Sequence, residues 1–175
     1  MRDTMRKGSA PWAFLLAVVC VLPLQAVNAD ENRYEPVPKS EGMQTVYIAD
    51  VENRGGRTYL KVDSIEWYEG EAANEAFREH EQDPDVTEAP DGYYIVNDAE
   101  DWHTYELAPD ADIHMQFYNR TGDWTEAVAV WDEKIDAPAF VSLFTPDDEE
   151  IMEGFPYHVT VENGKIVKLV QQFIP

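Results

Sequence analysis

The sequence predicts an α+β fold in which a mostly antiparallel sheet curls into a small, partly open barrel. Short β-rich runs follow one another as hairpins along the chain, and one alanine-rich segment has the period of a helix. The pair Asn163-Gly164 between two β-rich runs is the strongest hairpin signal in the chain. We expect about seven strands, one alanine-rich helix and one short second helix.

The first 29 residues have the features of a secretory signal peptide. Basic residues precede the apolar run 12–24, and Val27 and Ala29 are small residues of the kind that signal peptidase reads. The run is too short for a membrane span, which needs roughly 20 residues. We therefore expect cleavage between Ala29 and Asp30, a periplasmic or secreted product, and no membrane insertion after cleavage. Cys20 lacks the preceding small residue of a lipidation site, so no lipid anchor is expected.

Residues 30–43 are polar, contain prolines and show no periodicity, which predicts a flexible leader; residues 44–175 then form one α+β domain. The first strands are a hairpin within 45–68, where two glycines supply the positive φ of the turn. The apolar residues of its second strand change face between Val62 and Ile65, which indicates a bulge or a bend.

A helix is predicted over 69–82. Its apolar stripe is mostly alanine, with Phe77 as the anchor against a sheet. Glu71, Glu75 and Glu79 form a row at i, i+4 spacing, and their repulsion weakens as salt shortens the Debye length. We interpret this row as a solvated face suited to salt, with a cation site as the alternative.

Further strands are predicted after the helix. In the segment 93–97, "YYIVN", apolar residues occupy both sides of the predicted strand, so we expect both of its faces to be covered. "HTYEL" and "IHMQFY" are predicted to form a pair of strands joined across "APDAD", and "EAVAVW" (126–131) is predicted to be a further strand. Because Trp67 and Trp131 each lie within a strand pattern, we expect both rings in the core. Asp136 caps a short helix within 136–145.

Several of these stretches resemble one group of proteins. They are, in chain order, "VDSIEWYEGEAANEAFREH", "GYYIVND", "YELAPDADIHM" and "YHVTVENGKIVKLVQQFIP", and the resemblance covers about residues 46–175. The pattern is similar to uncharacterised exported proteins and lipoproteins of bacteria. The group has no assigned activity, so the resemblance implies a bacterial exported domain and architectural roles for the matching residues.

The charge of the chain restricts its partners. It has 13 basic and 35 acidic residues, a net charge of −22, and loss of the signal peptide leaves −24. Such a field repels nucleic acid and anionic membranes, so neither is expected as a partner. We interpret the acidity as adaptation to a salty or alkaline medium; weak binding of divalent cations and attraction of a basic protein remain alternatives.

No motif of catalysis, phosphate binding or metal binding is recognised, so we expect no enzyme activity, no catalytic residue, no metal site and no cofactor. Aromatic rings beside carboxylates near turns are the best candidates for a ligand patch: Trp102 with Asp98 and Asp101, and Trp124. The predicted function is a non-catalytic exported domain that binds a protein or peptide of the cell envelope. A calcium- or carbohydrate-binding module is the alternative, and a small hydrolase ranks last.

Overall fold

The computed structural model describes residues 37–38, 40–81, 85–144 and 148–174, with the Glu149 side chain excepted. The predicted signal peptide lies outside the described residues, as do most of the predicted leader and parts of the acidic loops around 83 and 146. The elements, in chain order, are β1 (Met43–Arg54), β2 (Arg57–Glu69), α1 (Gly70–His80), β3 (Tyr93–Val96), β4 (Trp102–Met115), a 3₁₀ turn (Trp124–Glu126), β5 (Glu133–Ile135), α2 (Ala137–Val141), α3 (Glu149–Glu153), β6 (Pro156–Glu162) and β7 (Lys165–Gln171).

Five strands close a barrel. β1 pairs with β2, β2 with β4, β4 with β7, β7 with β6, and β6 returns to β1. The predicted α+β fold with a small barrel is confirmed, but the barrel is closed, and β4 and β7 run parallel. A local pattern cannot show this pairing, because it joins strands far apart in sequence.

Aliphatic side chains from all five strands fill the barrel. Val46, Leu60, Ile113, Val159 and Leu169 are completely buried, and α2 and α3 add Phe140 and Met152 to the same cluster. Alternation along each strand places these residues inward and their neighbours outward, as the period of two requires.

β2 extends beyond the barrel and pairs there with β3, which makes a two-stranded arm. α1 packs on one face of this arm, with Phe77 edge-on to Tyr94 at 5.5 Å, while Tyr93 stacks on Trp67 on the other. The prediction that both faces of the segment 93–97 are covered is therefore confirmed. The predicted helix is confirmed too, with its alanines Ala73 and Ala76 buried.

A bulge or a bend was predicted for the change of face in β2, and no bulge lies in this strand between Val62 and Ile65. Val62 lies opposite Ile48 and points into the barrel, whereas Ile65 lies opposite Thr45 and points outward. The irregularity sits in the partner strand, between Ile48 and Asp50. The second apolar set of β2 therefore belongs to an outer layer, separate from the barrel core.

One predicted pair of strands and one predicted single strand are wrong. "HTYEL" and the first three residues of "IHMQFY" do not pair with each other but lie on the single strand β4, which absorbs "APDAD" as an irregularity against β7. The run "EAVAVW" is not a strand either, because Val128 and Val130 are exposed and β5 forms only at Glu133–Ile135. Alternating alanines and valines suggested pairing, but no neighbouring strand takes up the segment.

Other local predictions are confirmed. Asn163 and Gly164 both have positive φ between β6 and β7, with Glu162 opposite Lys165. Asp136 caps α2 by accepting a hydrogen bond from the Ala139 N–H at 2.8 Å. The short helix α3 was not predicted. None of the helices in the described ranges has the length and apolar character that a membrane crossing needs.

Candidate binding site

An aromatic cleft of about 320 Å³ lies between the arm and the end of the chain. Four rings line it: Trp67 of β2, Tyr93 of β3, Trp131 before β5, and Phe173 after β7. Its lining is mainly apolar, with Gln172, Glu69 and Asp91 as polar neighbours. We call this site the aromatic cleft.

The arm supplies one wall of the aromatic cleft. Trp67 and Tyr93 stack with their centroids 4.7 Å apart and their planes 14° from parallel. The edge of Trp67 meets the buried His158, whose ring nitrogens lie 3.0 Å from Thr45 Oγ1 and 3.1 Å from Gln172 Oε1. Trp67 is 7 % exposed, as predicted for a core residue, although it lies outside the barrel. No residue in the described part of the chain accepts a hydrogen bond from its indole N–H.

Buried amides hold the opposite wall. Gln171 Oε1 accepts hydrogen bonds from the backbone N–H groups of Gln116 and Phe117, at 2.9 and 2.7 Å, and its Nε2 donates to the Phe117 carbonyl. Gln116 in turn accepts from the Phe173 N–H through its side chain and from the Val130 N–H through its carbonyl. These bonds fix the end of the chain beside the segment that carries Trp131.

Trp131 and Phe173 pack edge to face, with centroids 5.5 Å apart. Asp132, the next residue, has a positive φ of 57°. Its carboxylate lies 2.8 Å from His114 Nδ1, although no hydrogen bond of good geometry forms at that nitrogen. The prediction that Trp131 lies in the core is wrong: its ring is half-buried and forms a wall of the aromatic cleft.

Negative charge lies at the edge of the aromatic cleft. Glu69 and the exposed Asp91 both line it. Burial raises the pKa of the Tyr93 hydroxyl, and the nearby Asp91 carboxylate raises it further, so this tyrosine stays neutral. No lysine or arginine is among the residues described around the cleft.

A wider cleft of about 660 Å³ lies where β1 and β4 begin. Its polar groups include Asp101, which lies 3.1 Å from His103 Nε2, and Glu66, which accepts a 2.5 Å hydrogen bond from Tyr68. The ring of Tyr105 stacks on His103 at 5.8 Å. These groups are open to solvent and hydrogen-bond in pairs, in contrast to the apolar lining of the aromatic cleft.

The residues predicted as a ligand patch have separate partners. The Trp102 ring is 42 % exposed, lies under the Lys61 ammonium at 4.4 Å, and donates its N–H to Glu100. Asp98 lies 3.4 Å from His80 Nδ1, and Asp101 lines the wider cleft. That these three bind a ligand together stays a prediction.

Trp124, the fourth predicted residue, packs 6.0 Å from Phe117 and donates to Asp148 at 2.8 Å. It lines neither of the two clefts. In the described ranges, no three histidine, aspartate or glutamate side chains converge as a metal site would require.

The sequence reasoning missed the aromatic cleft. It assigned Trp67 and Trp131 to the core because both lie in β-like runs, and it gave Tyr93 and Phe173 no role beyond their strands. The pattern of residues that are close in sequence does not indicate that these four rings come together in the fold. The closing "QQF" was the one usable hint, since two adjacent amides at the end of a strand need buried partners.

Comparison with known proteins adds no assignment: no protein-family model, no curated protein and no solved structure matches this chain.

Proposed function

We propose that this protein is a non-catalytic binding domain of the extracytoplasmic space, which takes a segment of a protein or peptide partner into the aromatic cleft. The observation that carries the proposal is a concave surface lined by four rings beside a barrel that is already filled. Tryptophan and tyrosine in such a surface supply the anchors of many protein interfaces.

The size and lining of the aromatic cleft favour a side chain or a short segment over a large folded surface. Its volume lies at the lower end of the range of ligand pockets, and its lining is mainly apolar. The net charge of −22 favours a partner with basic residues, because opposite charge speeds encounter and disfavours acidic competitors.

The proposal is tested by selecting displayed random peptides on the whole protein. Peptides selected on the wild type should bind Trp131→Ala at least about tenfold more weakly, as expected when an anchoring ring is lost. Trp102→Ala is the matched control, since it removes a ring of the same kind outside the aromatic cleft and should leave binding unchanged. Equal losses in both variants, or a loss only in Trp102→Ala, would refute the assignment of the cleft.

Carbohydrate binding in the wider cleft is the second candidate. The paired hydrogen-bonding groups of Asp101 with His103 and of Glu66 with Tyr68, beside the Tyr105 ring, are of the type that sugars use. A glycan array tests it: binding that Asp101→Asn removes and Trp131→Ala retains would favour this candidate over the first.

The location is part of the proposal and has its own test. Fractionation of the producing cells should find the protein outside the cytoplasm, with Asp30 as its first residue. A chain that keeps residues 1–29 in the cytoplasm would contradict it.

A further inference from the structure

We infer that a third cleft, at the tip of the β1–β2 hairpin, is a binding site for an organic carboxylate whose body is apolar. This cleft has a volume of about 580 Å³ and lies between the hairpin tip, β4 and α2. We call it the hairpin cleft. The site is independent of the proposed function, because it involves other residues and another ligand.

The polar end of the hairpin cleft has two cations and one carboxylate. Glu106 accepts a hydrogen bond from Lys165 Nζ at 2.8 Å and another from Arg57 Nη1 at 3.3 Å. The Glu106 side chain is 14 % exposed, and the Lys165 ammonium, with a smaller contribution from Arg57, holds the pKa of its carboxyl below the usual value. Glu106 is therefore ionised, and two positive charges face one negative charge.

Both cations keep donors for a second carboxylate. A guanidinium and an ammonium each have several N–H donors, and within the described part of the chain Glu106 takes one from each. The Asn53 amide lies at the same cleft, and its oxygen accepts from the Thr58 hydroxyl at 3.0 Å, which leaves its NH₂ group as a further donor. Arginine matches the planar shape of a carboxylate well. This end of the cleft therefore favours an anion that accepts several hydrogen bonds.

The other end of the hairpin cleft is apolar. Leu107 and Pro109 of β4 line it together with Ala137, Pro138 and Val141 of α2. The volume lies within the range of small-molecule pockets, and an apolar surface beside a few placed polar groups is typical of such sites. A ligand that fits both ends has a carboxylate at one end of an apolar body.

The hairpin cleft differs in charge from the two clefts described above, since no lysine or arginine is among the residues described around either of them. The whole protein is strongly acidic, but distant carboxylates are screened beyond about 8 Å at physiological salt. Glu162 lies opposite Lys165 across the β6–β7 turn but does not line the hairpin cleft. Among the three clefts, the local charge therefore favours an anion in the hairpin cleft.

The experiment follows backbone amide signals of the ¹⁵N-labelled whole protein during titration at physiological salt. N-acetyl-leucine and hexanoate carry the carboxylate, and N-acetyl-leucinamide and hexanamide have the same bodies without charge. The acids should shift the signals of Gly56 and Val141 to saturation and bind at least about tenfold more tightly than the amides. Acetate, which lacks the apolar body, should bind at least about tenfold more weakly than hexanoate.

Three variants test the charges. Lys165→Met keeps an apolar stem and removes the ammonium, so the acids should bind several-fold more weakly while the amides are unaffected. Lys168→Met, on the same strand but outside the cleft, is the matched control and should change nothing. Glu106→Gln removes the internal carboxylate and should tighten binding of the acids several-fold, a gain that a purely structural role of Glu106 would not produce. Unchanged amide signals away from the cleft show that each variant is folded.

Saturable binding of either acid with these dependences supports the site, and the tighter acid indicates whether the carboxylate comes from a peptide terminus or from a free acid. Equal binding of acids and amides, equal losses in Lys165→Met and Lys168→Met, or shifts that never saturate would each overturn the inference. Acids that shift the indole signals of Trp67 and Trp131 instead would overturn it too. The peptide selection that tests the aromatic cleft is separate, so the proposed function can fail while this site stands, and the reverse.

Discussion

The barrel interior and the aromatic layer outside it use different side chains for different purposes. The interior is mainly aliphatic and buried, and all five strands of the barrel contribute to it. The outer layer consists of two pairs of rings, Trp67 stacked on Tyr93 and Trp131 edge to face with Phe173, and all of them except Trp67 are partly open to solvent. The comparison shows that the domain has two packed layers, of which the barrel interior is the more completely shielded from solvent.

The two regions share one strand. β2 contributes Leu60 and Val62 to the interior and then Ile65 and Trp67 to the outer layer, so a single hairpin supplies both. Through this strand, the first wall of the aromatic cleft extends directly from a closed barrel.

The largest expected effect is in the interior. Phe140→Ala removes a fully buried ring that packs edge-on against Tyr157 at 6.1 Å. It should lower the free energy of unfolding by about 3–5 kcal/mol in urea denaturation. Phe77→Ala, which removes the half-buried anchor of α1, should cost less than half as much. Equal losses would mean that the arm stabilises the domain as strongly as the barrel does.

The next effect is at the connection between the regions. Gln171→Leu removes the acceptor of the Gln116 and Phe117 N–H groups, which then remain buried without a partner. The free energy of unfolding should fall by about 2–4 kcal/mol, because each unsatisfied donor costs about 1–3 kcal/mol. Gln44→Leu, at an exposed position, is the control and should change little. A stable Gln171→Leu protein would show that these donors find other acceptors.

Alkaline pH should destabilise the barrel through Tyr157. Burial raises the pKa of its hydroxyl far above the usual value. The unfolded chain releases this proton near pH 10 while the folded chain keeps it, so stability falls as pH rises above about 10, by up to ~1.4 kcal/mol per pH unit. Tyr157→Phe loses its 2.8 Å bond to the Met152 carbonyl but should show a shallower decline between pH 10 and 11. Parallel declines in the two proteins would contradict this account.

A smaller effect is expected in the aromatic cleft. Trp131 is half-buried, so Trp131→Ala should lower the free energy of unfolding by less than about 1 kcal/mol, although the proposed function expects it to weaken peptide binding at least about tenfold. Thermal unfolding with and without a selected peptide measures both properties. If the loss of unfolding free energy were as large as that of Phe140→Ala, Trp131 would contribute to stability like a core residue, and the distinction between the two regions would be wrong.

The smallest effect concerns the surface of α1. Glu75→Lys replaces one of three like charges at i, i+4 spacing and should stabilise the protein by a few tenths of a kcal/mol at low salt. The gain should disappear in 1 M NaCl, where the Debye length is about 3 Å. Glu75→Gln is the control: it removes the repulsion between Glu75 and its neighbouring glutamates without adding the attraction that a lysine would introduce. A gain that persists in salt would argue against the interpretation of this row as a face adapted to salt.

Elements that depend on near neighbours can be predicted from the sequence alone. The helix from Gly70, the cap at Asp136 and the turn at Asn163-Gly164 follow from short-range sterics and hydrogen bonding, which any window of a few residues contains. The small barrel with a helix beside it could also be predicted from the sequence, because the hydrophobic period of each segment indicates how many of its faces must be buried.

Four features depend on long-range strand pairing: the closure of the barrel, the parallel pairing of β4 with β7, the continuity of β4 and the meeting of four distant rings in one cleft. Burial of an apolar side chain is favourable whichever apolar neighbours surround it. The periodicity of the sequence therefore predicts that Trp67 and Trp131 are buried at least in part, but it does not predict which residues they contact. That choice is made by the complete set of strand pairings, which brings residues of the arm and of the chain end side by side.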